Sequence, residues 1–399
     1  MSSSSAEIVT AARELLPELV AIRRELHQIP EVGLTLPQTQ AVVLRELDGL
    51  PLEISTGTDT TSVVALLRGA HPGPTVLLRG DMDGLPVTEV NDLPYRATNG
   101  NMHACGHDLH TTGLIGAARL LSARRDQLHG SVIFMFQPGE EGYNGASVML
   151  REGVLNATGE TPIAAYALHV GPGPLGQVET KSGTILAGSS ELEITVRGSG
   201  GHGSQPHTAL DPVLPLAEIT VALQSMVTRR FDVFDPVVIS VTQLRAGDAL
   251  NVIPEQATLG ATVRTMSAET LEALPGMITD LAEGIARGYG CEADVTFTTQ
   301  YIPTVNDDSE HAFAVEQIHQ MYGEDSVTIK PHGIMGSEDF SFVLAEVPGA
   351  FMMVKCSPPE EDPATLAYNH SPHVLFDDSV LDRVAGILAQ LAIARLAAA

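Results

Sequence analysis

The chain has 399 residues, of which 44% are hydrophobic and only 4% aromatic, with a formal charge of −27 at pH 7. That charge excludes nucleic acid and anionic membrane surfaces as partners, because their phosphates would be repelled, and no apolar run is long enough to cross a bilayer. The length exceeds what one ordinary core accommodates, so two domains are expected.

Along the chain, Ile8, Ala11, Leu15, Leu19, Ile22 and Leu26 recur at helical spacing over 6–29, and Pro30 follows. Thr75–Leu78 reads as a buried strand, 110–126 as a helix, Ser131–Gln137 as a second strand and Ala164–His169 as a third. This alternation predicts an α/β fold whose mainly parallel mixed sheet is flanked by helices, with chemistry at the carboxyl ends of the strands. The rhythm changes near residue 189. Leu192–Val196 is a strand, 211–229 a helix, Val237–Leu244 and Ala257–Val263 strands, 268–287 a helix and Ala293–Phe297 a strand. That β-α-β-β-α-β order is ferredoxin-like. It predicts an inserted α+β domain over 189–302, with 1–188 and 303–399 forming the first domain.

Three cysteines, Cys105, Cys291 and Cys356, cannot all pair, so no disulfide framework is implied. The Met-Ser-Ser-Ser-Ser-Ala-Glu start has neither the basic nor the apolar region of a secretory signal. The expected compartment is a reducing cytoplasm.

Most of the chemistry is concentrated after the predicted strands. In His103-Ala104-Cys105-Gly106-His107-Asp108-Leu109-His110, a thiol and an imidazole flank a glycine, a donor pair suited to a zinc-like transition metal rather than to calcium or magnesium. Phe136-Gln137-Pro138-Gly139-Glu140-Glu141-Gly142 places two carboxylates in one loop, where one can bind a metal while the other serves as base; a solvated acidic turn is the plainer alternative. Asp81 and Asp83 in Arg79-Gly80-Asp81-Met82-Asp83-Gly84-Leu85-Pro86 can face one site together and orient histidines, or simply stabilise a turn. His169 and His370 end extended segments running into Gly or Pro loops.

Taken in order, Arg-Gly-Asp-Met-Asp-Gly-Leu-Pro, His-Ala-Cys-Gly-His-Asp, Gln-Pro-Gly-Glu-Glu-Gly, Ala-Leu-His-Val and Asn-His-Ser-Pro-His resemble the M20 metallopeptidase family, from His27 to about residue 385. The closer likeness is to its amidohydrolase branch, which comprises aminoacylase-, hippurate-hydrolase- and auxin-conjugate-hydrolase-like enzymes. The resemblance implies hydrolysis of the amide of a small N-acyl amino acid at two divalent metal ions, zinc foremost, with manganese or cobalt as alternatives. Cys105 would bridge the metals, with His107 and His169 on one side and Glu141 and His370 on the other. Glu140 would be the general base toward a water between them, and Asp83 the carboxylate supporting the site. The inserted domain would be a lid that also forms a homodimer. Its His202, in Gly200-Gly201-His202-Gly203-Ser204, would reach the active site of the partner subunit and stabilise the oxyanion there, while Asn251 and Arg264 would hold the substrate carboxylate. The wider family's histidine two residues before Asp83 is here Asp81; this residue, His103, His110 and the Gly336-Ser337-Glu338-Asp339-Phe340 segment carry no assigned role. A dipeptidase or N-acyl-diaminopimelate deacylase would use the same centre. A non-catalytic sensor of acylated amino acids is the alternative outside enzymes.

Overall fold

In the computed structural model, which describes residues 3–360 and 365–398, the larger sheet has eight strands. Their spatial order is Leu52–Thr56, Val63–Arg68, His129–Gln137, His71–Asp81, Ala164–Gly171, Gly349–Lys355, Val178–Thr180 and Val327–Ile329. Leu52–Thr56 with Val63–Arg68, Val63–Arg68 with His129–Gln137, and Gly349–Lys355 with Val178–Thr180 are antiparallel pairs; the remaining neighbours run parallel. The central strands bury unbroken apolar runs, Val76–Leu78 and Val132–Phe136, as sheets covered on both faces do.

Helices His107–Ser122 and Leu381–Ala397 pack on this sheet, and Ser3–His27 packs on both of them. Two glycines let the first two approach closely. A Cβ at Gly113 would lie 2.3 Å from Val384 Cγ1, and one at Gly116 would lie 2.7 Å from Ala385 Cβ. The helix expected over 110–126 begins three residues earlier, because Gly106 turns the chain directly into it, and ends at Ser122 before a short 3-10 turn at Arg125–Gln127. His71–Asp81, His129–Gln137 and Ala164–Gly171 run parallel, so Asp81, Gln137 and His169 emerge at one edge of the sheet.

The chain divides into two compact units, one of Met1–Ile185, Val305–His332 and Asp339–Ala399, the other of Leu186–Thr304 and Gly333–Glu338. In the second, an antiparallel sheet runs in the order Val238–Ala246, Gln256–Thr265, Gly188–Arg197, Glu292–Tyr301. Helices Val213–Arg230 and Ala268–Gly288 bury Leu192, Ile194, Val196, Leu259 and Val263 beneath them, the ferredoxin-like arrangement. Gly333–Glu338 falls outside the span expected for this unit. It is held there because Ala187 N–H donates to the carbonyls of Ile334 and Gly336. No described helix is long and apolar enough to cross a membrane.

Candidate metal centre

Cys105 and His107 owe their placement to Gly106, whose φ is +82° and whose absent Cβ would lie 2.3 Å from Val170 Cγ2. Only glycine fits such a turn without strain. The turn leaves His107 as the first residue of its helix and directs the Cys105 sulfur to His169, 3.4 Å from Nε2. The Asn369–His370 loop is stapled over the cysteine. His370 N–H donates to the Ala104 carbonyl at 2.9 Å, and Asn369 Nδ2 donates to the Val170 carbonyl at 3.2 Å. His370 itself has φ +72°, a strained value for a non-glycine residue and one that collects at functional sites.

Two donor groups meet at Cys105. The donor atoms of Cys105, His107 and His169 lie within 4.8 Å of one another, as do those of Cys105, Glu141 and His370. Those of His107, Glu140 and Glu141 form a third such group. His107 is fully buried, yet neither ring nitrogen completes a hydrogen bond. Nδ1 lies 3.3 Å from Asp83 Oδ1, and Nε2 lies 3.6 Å from Asp81 Oδ2 and 4.0 Å from Glu140 Oε2. An imidazole left in that condition fits a cation.

Asp83 holds the acidic loop. Its Oδ1 accepts the Glu140 N–H and its Oδ2 the Glu141 N–H, both at 3.0 Å. One carboxylate thus aims both glutamates while standing against His107. Glu141 turns to His370, with Oε1 3.0 Å from Nε2.

The protonation pattern is that of a site built for positive charge. Burial would raise the Cys105 thiol, but the charge and hydrogen bond of His169, with the imidazoles of His107 and His370 close by, hold it well below its ordinary value. Hydrogen bonds to Cys105 and Glu141 push His370 up to about 10. Burial opposes protonation of His107 and His169, yet Asp81 and Asp83 raise the first and Cys105 the second. Imidazoles bind metal only when neutral, so metal loading must expel protons held more tightly than usual. Affinity is therefore expected to rise with pH. Calorimetric titration of stripped protein in buffers of different ionisation enthalpy should show proton release at pH 7; buffer-independent heats would contradict it.

The donor atoms of Asp81 and His110 also lie within 4.8 Å of one another and of His107, but their hydrogen bonds are otherwise committed. Asp81 Oδ2 accepts from Arg79 Nη1 at 2.6 Å, and its Oδ1 takes the His110 Nδ1–H at 2.5 Å. His110 Nε2 accepts the Val170 N–H at 2.8 Å, so both ring nitrogens are committed. Burial keeps this imidazole below its usual pKa, and therefore neutral. It ties one strand end to the next rather than offering a donor. His103 is buried away from the donor groups, and burial lowers its pKa to about 4.

The second unit carries His202, Asn251 and Arg264. His202 pairs in register with Val252, and the Asn251 carbonyl accepts the Gly203 N–H, which brings the first two together. Ser204 N–H donates to His202 Nδ1 at 3.1 Å, so a neutral His202 keeps its proton on Nε2 and presents a donor. Arg264 lies in an open groove of about 430 Å³, lined also by Ser189, Glu191, Glu193, Thr242 and Thr298. Its guanidinium meets Ser189 Oγ, and among the described residues it has no carboxylate partner.

Residues 77–394 match the family described as Peptidase family M20/M25/M40. The chain is 35% identical over 378 residues to the N-acetylcysteine deacetylase of Bacillus subtilis, covering 94% of this chain and 96% of that protein. It is 37% identical over 381 residues to IAA-amino acid hydrolase ILR1-like 5 of Arabidopsis thaliana, covering 94% and 86%. Among solved structures, the YXEP protein of Bacillus subtilis, a dinuclear metal binding peptidase from the M20 family, superposes with a TM-score of 0.83 at 32% identity, covering 96% of this chain and 99% of that one. A largely buried constellation of thiol, imidazole and carboxylate beside the strand ends of an α/β unit is that of a metal-dependent amide hydrolase. The chain belongs to the M20 peptidase family.

Proposed function

We propose that this enzyme hydrolyses the amide of N-acyl amino acids, releasing a carboxylate and a free amino acid, at a centre of two divalent metal ions. The observation that carries the reading is the meeting of two donor groups at Cys105, with Glu140 beside them and needed to complete neither. His107 and His169 would hold one ion, Glu141 and His370 the other, and Cys105 both. The mixed sulfur, nitrogen and oxygen set suits zinc first, then manganese or cobalt. Metal held there would polarise the scissile carbonyl and acidify water.

Glu140 takes the proton of the attacking water and passes it to the departing nitrogen, aimed by the grip of Asp83 on its N–H. In the proposed homodimer, His202 would donate from Nε2 to the oxyanion developing at the partner subunit's centre. Arg264, lacking an internal carboxylate, pairs with that of the substrate, and Asn251 assists it. The second unit serves as lid and as the face of a homodimer; its exposed apolar residues Leu244, Leu250 and Val252 support that role. The cytoplasmic reading is supported by three unpaired cysteines.

The names of the two relatives favour acylated amino acids over peptides. A panel of N-acetyl and N-benzoyl amino acids, N-acetyl-diaminopimelate and dipeptides, run on protein reconstituted with each metal, tests the proposal. N-acyl amino acids should give kcat/KM values at least about tenfold above dipeptides, a margin within what pocket contacts supply. Preference for dipeptides, or binding without turnover on metal-loaded protein, would overturn it.

A further inference from the structure

Asp339, within the Gly336–Phe340 segment for which the sequence supplies no role, is completely buried in the first unit. Its Oδ1 accepts from Arg79 Nη2 at 3.0 Å and from Gln137 Nε2 at 2.8 Å. Its Oδ2 accepts from Gln137 Nε2 at 2.8 Å and from the Ala146 N–H at 2.9 Å. Gln137 and Ala146 bracket the loop that carries Glu140 and Glu141, so one carboxylate grips both ends of it. An Asp339 oxygen lies within 4.8 Å of an oxygen of Glu140.

The grip is anchored in the sheet. Arg79 Nε donates to Gln137 Oε1 at 2.9 Å while Nη1 holds Asp81, and Asp81 continues through His110 to the Val170 N–H beside His169. Asp339, Arg79, Asp81 and His110 thereby bind the acidic loop, the end of His71–Asp81 and the His169 strand into one buried lattice. Such a lattice is a poor means of gaining stability, since well-packed apolar side chains do as well without the cost of burying charge. What it provides is geometry: directed hydrogen bonds from Gln137 Nε2 and the Ala146 N–H fix a loop that apolar packing would leave free to slide.

The geometry points to Asp339 as a positioning residue for hydrolysis. It sets the reach and angle of Glu140 by clamping both ends of the loop, and touches neither metal nor substrate. This rests on the proposal that Glu140 is the base.

The test is Asp339→Asn in the metal-loaded enzyme. Asparagine presents an N–H₂ where Ala146 N–H or Gln137 needs an acceptor, so the clamp opens on one side. Expected is a fall in kcat of about 10- to 100-fold, the scale of a small misplacement of a reacting group, with KM and metal content unchanged. In a Glu140→Gln background, adding Asp339→Asn should cost less than about twofold further, because both losses pass through the same group. If Asp339→Asn does not fold, Gln137→Met decides by the same criteria, since it removes one clamp and keeps the Arg79–Asp339 pair. An unchanged kcat, losses that multiply in the double variant, or activity restored by added metal would overturn the inference. Full activity of Glu140→Gln would instead sink the base assignment, whatever Asp339→Asn shows.

Discussion

Glu140→Gln is expected to lower kcat by about 10²- to 10⁴-fold, the usual contribution of a general base, while the protein keeps its metal and its KM. The amide nearly matches the carboxylate in size, and the backbone anchor is untouched because Asp83 holds the N–H of residue 140 rather than its side chain. What it cannot do is accept a proton. The neighbouring Glu141→Gln should fail differently. Glu141 faces His370 at 3.0 Å and shares a donor group with Cys105, so its loss should appear as lost metal, recoverable in part with excess ion. Metal analysis beside steady-state kinetics separates the two adjacent carboxylates. Full turnover by metal-loaded Glu140→Gln would end the division of labour proposed for them.

Why the donors could be read from the sequence and their wiring could not has a physical explanation. Glu141 and His169 come from strand ends running into Gly or Pro, while Cys105 and His370 sit in turns beside Gly106 and near Pro372, so residue type and local context coincide. The hydrogen bond from Arg79 to Asp339 joins residues 260 positions apart and leaves no spacing to detect. His103 and His110 share one motif with His107 and differ from it only in surroundings. His110 has both nitrogens committed, whereas His107 has neither. In the fold, the long amphipathic and β-branched runs were legible. Val178–Thr180 and Val327–Ile329 are too short to show a period, and Leu381–Ala397 is buried so extensively that it lacks a polar face. In Gly188–Arg197, by contrast, buried and exposed side chains alternate regularly beneath the two helices.

Asp108→Ala should destabilise the first unit by about 3–5 kcal/mol, the cost of breaking a buried ion pair from one side, and lower its melting midpoint on the order of 10 °C. Asp108 follows His107 in the first turn of the helix and is completely buried. Its Oδ2 lies 2.8 Å from Arg23 Nε and 2.7 Å from His27 Nδ1, while Arg23 reaches on to Asp378 at 2.7 Å and His27 to Glu89 at 3.3 Å. Removing the carboxylate leaves a buried guanidinium beside a buried imidazole with less opposing charge. Burial would raise the Asp108 carboxyl, but Arg23 and His27 hold it far below the ordinary range. A depressed folded pKa stabilises fully above the unfolded value, near 3.9, and that contribution is lost as pH falls from there toward the folded value. The gap between wild type and Asp108→Ala should therefore narrow below about pH 4, and because Asp108 also helps hold the His27 pKa above its ordinary value, it should shrink in part as pH rises through that titration. Pairing Asp108→Leu with Arg23→Met should cost less than the two single changes combined, since neither charge is then stranded. Thermal melts of wild type, Asp108→Ala, the Asp108→Leu and Arg23→Met single variants and their double variant at pH 7 and pH 3 provide the measurement. A single-variant loss under about 1 kcal/mol at pH 7 would mean that this pair is no firmer than an exposed one.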